Sequence, residues 1–154
     1  MHAMTLTERL EAAMRDAMRA RDEQRTQTLR MAMAAAHNQR IAKRRDLTDD
    51  EVIDVLTRQV KQRRESIEMY RDAGREERAA SEEAEAAILT EFLPAQLSAD
   101  DVEDLARAAI AETGAAGPAD LGRVMGALSP RTRGRADGRV VSDTVRRLLS
   151  EAAG

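Results

Sequence analysis

Apolar residues in this chain recur every three or four positions, and nowhere does an alternating run last. That period puts each apolar set on one face of a helix. Strands need a period of two, so the pattern predicts an all-α protein. Leu6, Leu10, Ala13, Met14, Ala17 and Met18 make a first stripe, with Thr5 and Glu8 at capping-box spacing before it. The stripe lapses at "RARDEQR". Asp22 then caps a second helix to about Arg45, with Leu29, Met33, Ala36 and Ile41 on its apolar face. The clearest start is "DLTDDEV". There Thr48 and Glu51 complete a capping box, and Asp49 and Asp50 suit the positive end of the helix dipole.

The third helix carries Val52, Leu56, Val60, Ile67 and Tyr70 and ends at Gly74. The fourth, "EERAASEEAEAAILTEFL", runs to Pro94 with Ile88, Leu89, Phe92 and Leu93 crowded at its end. "PAQLS" reads as a linker. Ser98 caps a fifth helix with Val102, Leu105, Ala109 and Ile110, which stops at Gly114. Pro118 starts a sixth, holding Leu121, Val124, Met125 and Leu128. The last spans about Gly138 to Ser150 with Val141, Val145, Leu148 and Leu149. The expected plan is a four-helix N-terminal domain over 5–94, a linker at 95–98 and a small three-helix domain over 99–150.

Chemistry is constrained by what is missing. With no cysteine there is no disulfide framework, thiolate zinc site or cysteine nucleophile, which fits a reducing compartment. No apolar run reaches the length of a signal peptide or a membrane span, so a cytoplasmic protein is expected. No phosphate loop is present, and Lys43 and Lys61 are the only lysines, both in basic helical runs. His37 has no second histidine near it and reads as a helix-surface residue; His2 belongs to a start segment set aside from the fold. The acidic run Glu76, Glu77, Glu82, Glu83 and Glu85 reads as a solvated helix face, not as the convergent oxygens of a cation site. Neither a metal nor a cofactor is expected.

Charge is segregated instead. Residues 1–74 carry +2, residues 75–117 carry −8 and residues 118–154 carry +3. Two basic clusters, Arg40, Lys43, Arg44 and Arg45, then Arg58, Lys61, Arg63 and Arg64, stand near the junction of the second and third helices. Their bland reading is helix-end and surface charge; their functional reading is phosphate contact, independent of base sequence and sensitive to salt. Stacking on single-stranded bases is disfavoured, because Tyr70 and Phe92 are the only rings and both lie on apolar stripes. "GRVMG" has glycines four apart, spacing that lets another helix come close.

"DLTDDEV", "VKQRRESIEMYRDAGRE", "EEAEAAILTEFLPAQLS" and "LGRVMGALSPRTRGRADGRVV" together resemble the GatB/YqeY family, specifically its stand-alone YqeY type, from Thr5 to about Leu149. The resemblance implies an all-α fold with four N-terminal helices and a small helical C-terminal domain. Similar domains form the tail of GatB, the tRNA-facing subunit of tRNA-dependent amidotransferase, and are appended to some glutaminyl-tRNA synthetases. The resemblance therefore implies a tRNA-binding accessory module. The family's amidotransferase label, a carbon–nitrogen ligase with glutamine as amido-N-donor, finds no catalytic residues in this chain and could apply only to a component active in complex.

On this reading Arg123, Arg131, Arg133, Arg135 and Arg139 lead the tRNA contacts, and Lys43, Arg44, Arg45, Lys61, Arg63 and Arg64 assist. The rival is a protein-interaction module whose acidic middle docks on a synthetase or an amidotransferase component. "RTRGRADGRVV", residues 131–141, poses the question sharply. A turn needs Gly134 to end one helix and Asp137 to cap the next. It does not need four arginines.

Overall fold

The computed structural model describes residues 3–154. All regular structure among them is helical: α1 (Leu6–Arg19), α2 (Glu23–Lys43), α3 (Asp49–Asp72), α4 (Glu76–Thr90), α5 (Ala99–Thr113), α6 (Leu121–Thr132) and α7 (Gly138–Ala153), with a 3₁₀ turn at Pro118–Asp120 leading into α6. His2 lies outside the described residues. The chain divides into two compact units, one ending at Pro94 and one beginning at Ala95.

The caps sit where local chemistry puts them. The Thr5 hydroxyl accepts the Glu8 amide at 3.1 Å, and the Asp22 carboxylate accepts the Arg25 amide at 3.0 Å. Thr48 and Glu51 close a full capping box, as do Ser98 and Asp101. α3 ends in a Schellman turn. Gly74 takes φ 72°, its amide reaches Arg71 O at 3.0 Å, and the Arg75 amide reaches Tyr70 O at 2.7 Å. Arginine holds the same left-handed position after α1 (Arg21, φ 58°) and after α2 (Arg44, φ 57°), where glycine would be less strained.

In the first unit, α3 lies along α4, α1 along α2, and α2 also meets α3 and α4. Leu6, Leu10, Leu29, Val52, Leu56, Val60 and Leu89 fill the centre, and Phe92 closes it. Each fully buried leucine contributes about 1.5 to 3 kcal/mol relative to an exposed one. Two members of the expected stripes turn outward. Met18 is exposed because Ala17 takes the inward position beside it. Ile41 is 61% exposed. α2 is seven residues longer than α1, about 10 Å, so its last turns run past its hairpin partner. α4 stops at Thr90 rather than at Pro94. Phe92 and Leu93 make 3₁₀-type bonds to Leu89 O and Thr90 O, which tuck Phe92 into the core ahead of the proline. Tyr70 is half-buried, with the Arg78 guanidinium 5.9 Å over its ring.

One bond ties the first unit across its chain. The Leu6 amide, orphaned in the first turn of α1, donates to Asp49 Oδ1 at 3.0 Å, so a carboxylate that opens α3 also caps α1.

The second unit packs α5, α6 and α7 around Val102, Ala106, Ala109, Val124, Leu128, Val141, Val145, Leu148 and Leu149. One expectation fails here. Gly122 and Gly126 are exposed, and a Cβ on either would meet nothing within 4 Å, so no helix approaches there. Their stripe faces outward because Val124 and Leu128 hold the core side of α6. Residues 96 and 97 of "PAQLS" are bonded to the turn between α6 and α7. The Leu97 amide donates to Arg135 O at 2.8 Å and Gln96 Nε2 to Gly134 O at 2.7 Å.

Candidate nucleic-acid interface

The turn between α6 and α7 is set by backbone chemistry. Arg133 has φ −55° and ψ 120°, Gly134 has φ 70°, and the Arg135 amide reaches Thr132 O at 2.9 Å. That is a type II β-turn, which requires positive φ at its third residue and so selects glycine. Asp137 then caps α7, its carboxylate accepting the Arg139 amide at 2.9 Å.

Around that frame the arginines divide. Arg135 is half-buried; its Nε donates to Ala95 O at 3.0 Å and its Nη1 to Arg131 O at 3.3 Å. It fastens the 95–97 segment to the turn. Its charge also lies near Asp101. That carboxyl is held below its ordinary range, first by the Ser98 amide, then by the Ser98 hydroxyl, with Arg135 adding a smaller pull. Arg131 pairs with Glu112 on α5 at 2.9 Å. Arg123 pairs with Asp120 at 3.0 Å, and Asp120 is itself held low, chiefly by the Ala116 amide. Arg133 and Arg139 are exposed, and the Arg139 guanidinium has no hydrogen bond or ion pair among the described residues.

In the first unit the basic residues at the end of α2 gather around two carboxylates. Arg45 grips Glu51 with two bonds, 2.7 and 3.0 Å, Lys43 reaches the same carboxylate, and Arg40 pairs with Asp46 at 2.8 Å. Arg45, then Lys43 and the Thr48 amide, hold the Glu51 carboxyl well below the usual carboxylate range. A depressed folded-state pKa contributes stability that is present above the ordinary glutamate value and is lost on acidification. The first unit should therefore lose stability progressively below about pH 5. Glu51→Gln should flatten that part of the profile in thermal melts read by circular dichroism; an unchanged profile would detach Glu51 from the effect.

Arg44 stands apart, exposed at positive φ; its amide reaches Ile41 O at 3.2 Å, and its guanidinium has no hydrogen bond or ion pair among the described residues. On α3, Lys61 and Arg64 are exposed, and so is Arg58 one turn before Lys61. Arg63 is not available to a ligand. It is 6% exposed and turned toward α4, with Nε 3.4 Å from Glu85 Oε2 and Nη1 3.3 Å from Gln59 Oε1. Arg63 falls between Val60 and Ile67 on the inward face of α3, which puts it against α4. Glu85 is correspondingly half-buried rather than solvated, and burial pushes its carboxyl up despite the Arg63 charge.

Other acidic side chains of α4 are engaged within the unit as well. Glu76 and Glu83 both meet Arg71, and Glu91, which ends the helix, pairs with Arg25 at 2.5 Å. His37 is exposed on α2. Among the described residues, no three His, Cys, Asp or Glu side chains gather to hold a metal ion, and no helix is long and apolar enough to cross a membrane.

A family model described as "Yqey-like protein" matches residues 7–149. Among curated proteins, "Altered inheritance of mitochondria protein 41, mitochondrial" of Pyrenophora tritici-repentis (strain Pt-1C-BFP) is 28% identical over 149 residues, covering 95% of this chain and 80% of its own length.

Proposed function

The chain belongs to the YqeY-like protein family, and on that premise we propose that it is a non-catalytic module that holds folded tRNA by its phosphates, as the likeness to the GatB tail implies. The observation that carries this reading is Arg44. The chain keeps an arginine in a left-handed cap where α3 and α5 use Gly74 and Gly114, and the guanidinium is left open to solvent. A residue held in a costly conformation with its side chain unengaged is better explained by a ligand than by the fold.

Arg40, Lys43 and Arg45 are engaged with Asp46 and Glu51, and Asp49 and Asp50 open α3 beside them, which leaves Arg44 as the cation of this cluster whose guanidinium is unengaged. Guanidinium groups suit phosphate oxygens. Arg139 in the second unit, with Lys61 and Arg64 on α3, completes the set. Arg123, Arg131, Arg133 and Arg135 join it only by leaving partners they already have. The cysteine-free composition suits a cytoplasmic setting. A protein-docking role for the acidic middle is less favoured, because Glu76, Glu83, Glu85 and Glu91 already hold arginines. An amidotransferase role would need the catalytic residues of a partner.

The test is a titration of total tRNA at about 50 and 200 mM salt, read by filter retention. Each phosphate contact contributes about 0.9 to the slope of log affinity on log salt. Arg44→Gly should lower the slope by about that much and, in the same protein, raise stability by about 0.5 to 1 kcal/mol through relief of the left-handed strain. Arg44→Gly combined with Arg139→Ala should lower it by about twice as much. Absence of binding at low salt, or a slope untouched in the double variant, rejects the reading.

A further inference from the structure

Between α1 and α2 runs a groove of about 640 Å³ that shares Arg40 and Asp46 with the charged cluster at the end of α2. Its floor is Leu10, Met14, Met33 and Leu47, and Ala34, exposed and small, leaves the trough open on the α2 side. Charge is sorted by wall: α1 supplies Glu8 and Glu11, and α2 supplies Arg30 and Arg40, with His37 between them and Asp46 beside Arg40. Arg40 is engaged with Asp46, whereas the Arg30 and His37 side chains make no hydrogen bond or ion pair among the described residues. From the sorted charge we propose that this groove receives one amphipathic helix of a partner protein, its apolar stripe on the floor, an acidic edge along α2 and a basic edge along α1.

Three features select that occupant. From Arg30 to Arg40 the α2 wall runs ten residues, about 15 Å, which accommodates roughly three turns of a docked helix. Methionines on the floor adapt to the side chains of a helix laid in a groove. A small anionic ligand would want its cations converging on one point, but here opposite signs line opposite walls, as they flank the seam between paired helices. A second copy fits badly, because a concave surface against a concave surface leaves a void. The proposal does not depend on RNA binding.

The experiment uses the whole chain with ¹³C-labelled methionine methyls and model helical peptides of about fifteen residues, long enough to hold a helix. One peptide has a glutamate edge and a lysine edge beside its leucine stripe; two controls carry glutamate on both edges or lysine on both. The mixed peptide should shift the Met14 and Met33 methyls, leave Met69 and Met125 unmoved, and bind about tenfold tighter than either control. Ala34→Gln, an exposed change that fills the trough, should weaken it about tenfold without altering the melt. Glu11→Lys leaves the α1 wall with Glu8 beside a lysine, no longer net acidic, and should shift the preference toward the all-glutamate peptide. The proposal falls if no peptide moves those methyls, if Glu11→Lys leaves the preference as it was, or if dodecanoate moves the methyls when the peptides do not, which would make the groove a small-ligand site.

Discussion

Arg63→Ala is expected to destabilise the first unit by about 3 kcal/mol, the range for removing one partner of a buried pair. The side chain is 7% exposed, and its neighbour Glu85 is 28% exposed. Truncation removes the counter-charge of a half-covered carboxylate and leaves the space that the arginine stem filled. Acidity should change the result in a defined direction. Burial already holds the Glu85 carboxyl above its ordinary range, and Arg63 pulls it partly back. Without Arg63 the folded state favours the protonated carboxyl more strongly. Stability is then greatest below the unfolded-state value and is lost as pH rises through the folded one. Arg63→Ala should therefore recover stability between pH 7 and about pH 5, opposite to the behaviour of Glu51. The double variant Arg63→Met with Glu85→Gln replaces both charges at similar volume and should return to within about 1 kcal/mol of the parent. Urea unfolding at the two pH values measures all three. A loss under about 1 kcal/mol for Arg63→Ala at pH 7 would show that the pair is solvated, and Arg63 would rejoin the phosphate-contacting set.

Leu149→Ala is expected to take about 3 kcal/mol from the second unit. Leu149 is wholly buried against Val124, Leu128, Val141 and Val145. The loss combines transfer of the side chain to water with the cavity left behind. In a unit of this size the core is small, so that loss is a large share of the total. Amide hydrogens in α5, α6 and α7 that exchange only by unfolding of this unit should exchange roughly a hundredfold faster. Val140→Ala is the control. Val140 neighbours the same core in sequence but is 47% exposed, and its removal should shift exchange less than threefold, about 0.5 kcal/mol.

What was legible in the sequence was short-range. Thr48 with Glu51 and Ser98 with Asp101 act across three residues, and the inward faces of the helices repeat every three or four. The two arginine-capped helix ends, Arg21 and Arg44, escaped notice because positive φ shows in composition only when glycine or asparagine occupies it. What the sequence does not show involves partners far along the chain. Asp49 bonds a residue 43 positions away, Gln96 one 38 away, and Arg63 meets Glu85 from the neighbouring helix. A basic run contains no sign of which member faces inward; the helical phase of α3 does, since Arg63 falls with Val60 and Ile67. Gly122 and Gly126 carry no record of whether another helix lies over them. The groove has walls from two helices, so Ala34 and Met33 look like ordinary helix residues until Leu10 and Met14 stand opposite. In "RTRGRADGRVV" the arginines resolve unequally: Arg135 and Arg131 serve the turn and its neighbours, and Arg139 is left open to solvent.

The fastening of residues 95–97 has a consequence for any excision of the second unit. Arg135 holds Ala95 through its side chain and Leu97 through its carbonyl, while Gly134 holds Gln96. A fragment begun at Ala99, where α5 opens, would discard all three acceptors and donors as well as the Ser98 cap. The turn would be left with two unclaimed carbonyls and a guanidinium held by Arg131 O alone. The natural cut lies before Ala95, so that the unit carries its own clasp into whatever host chain receives it.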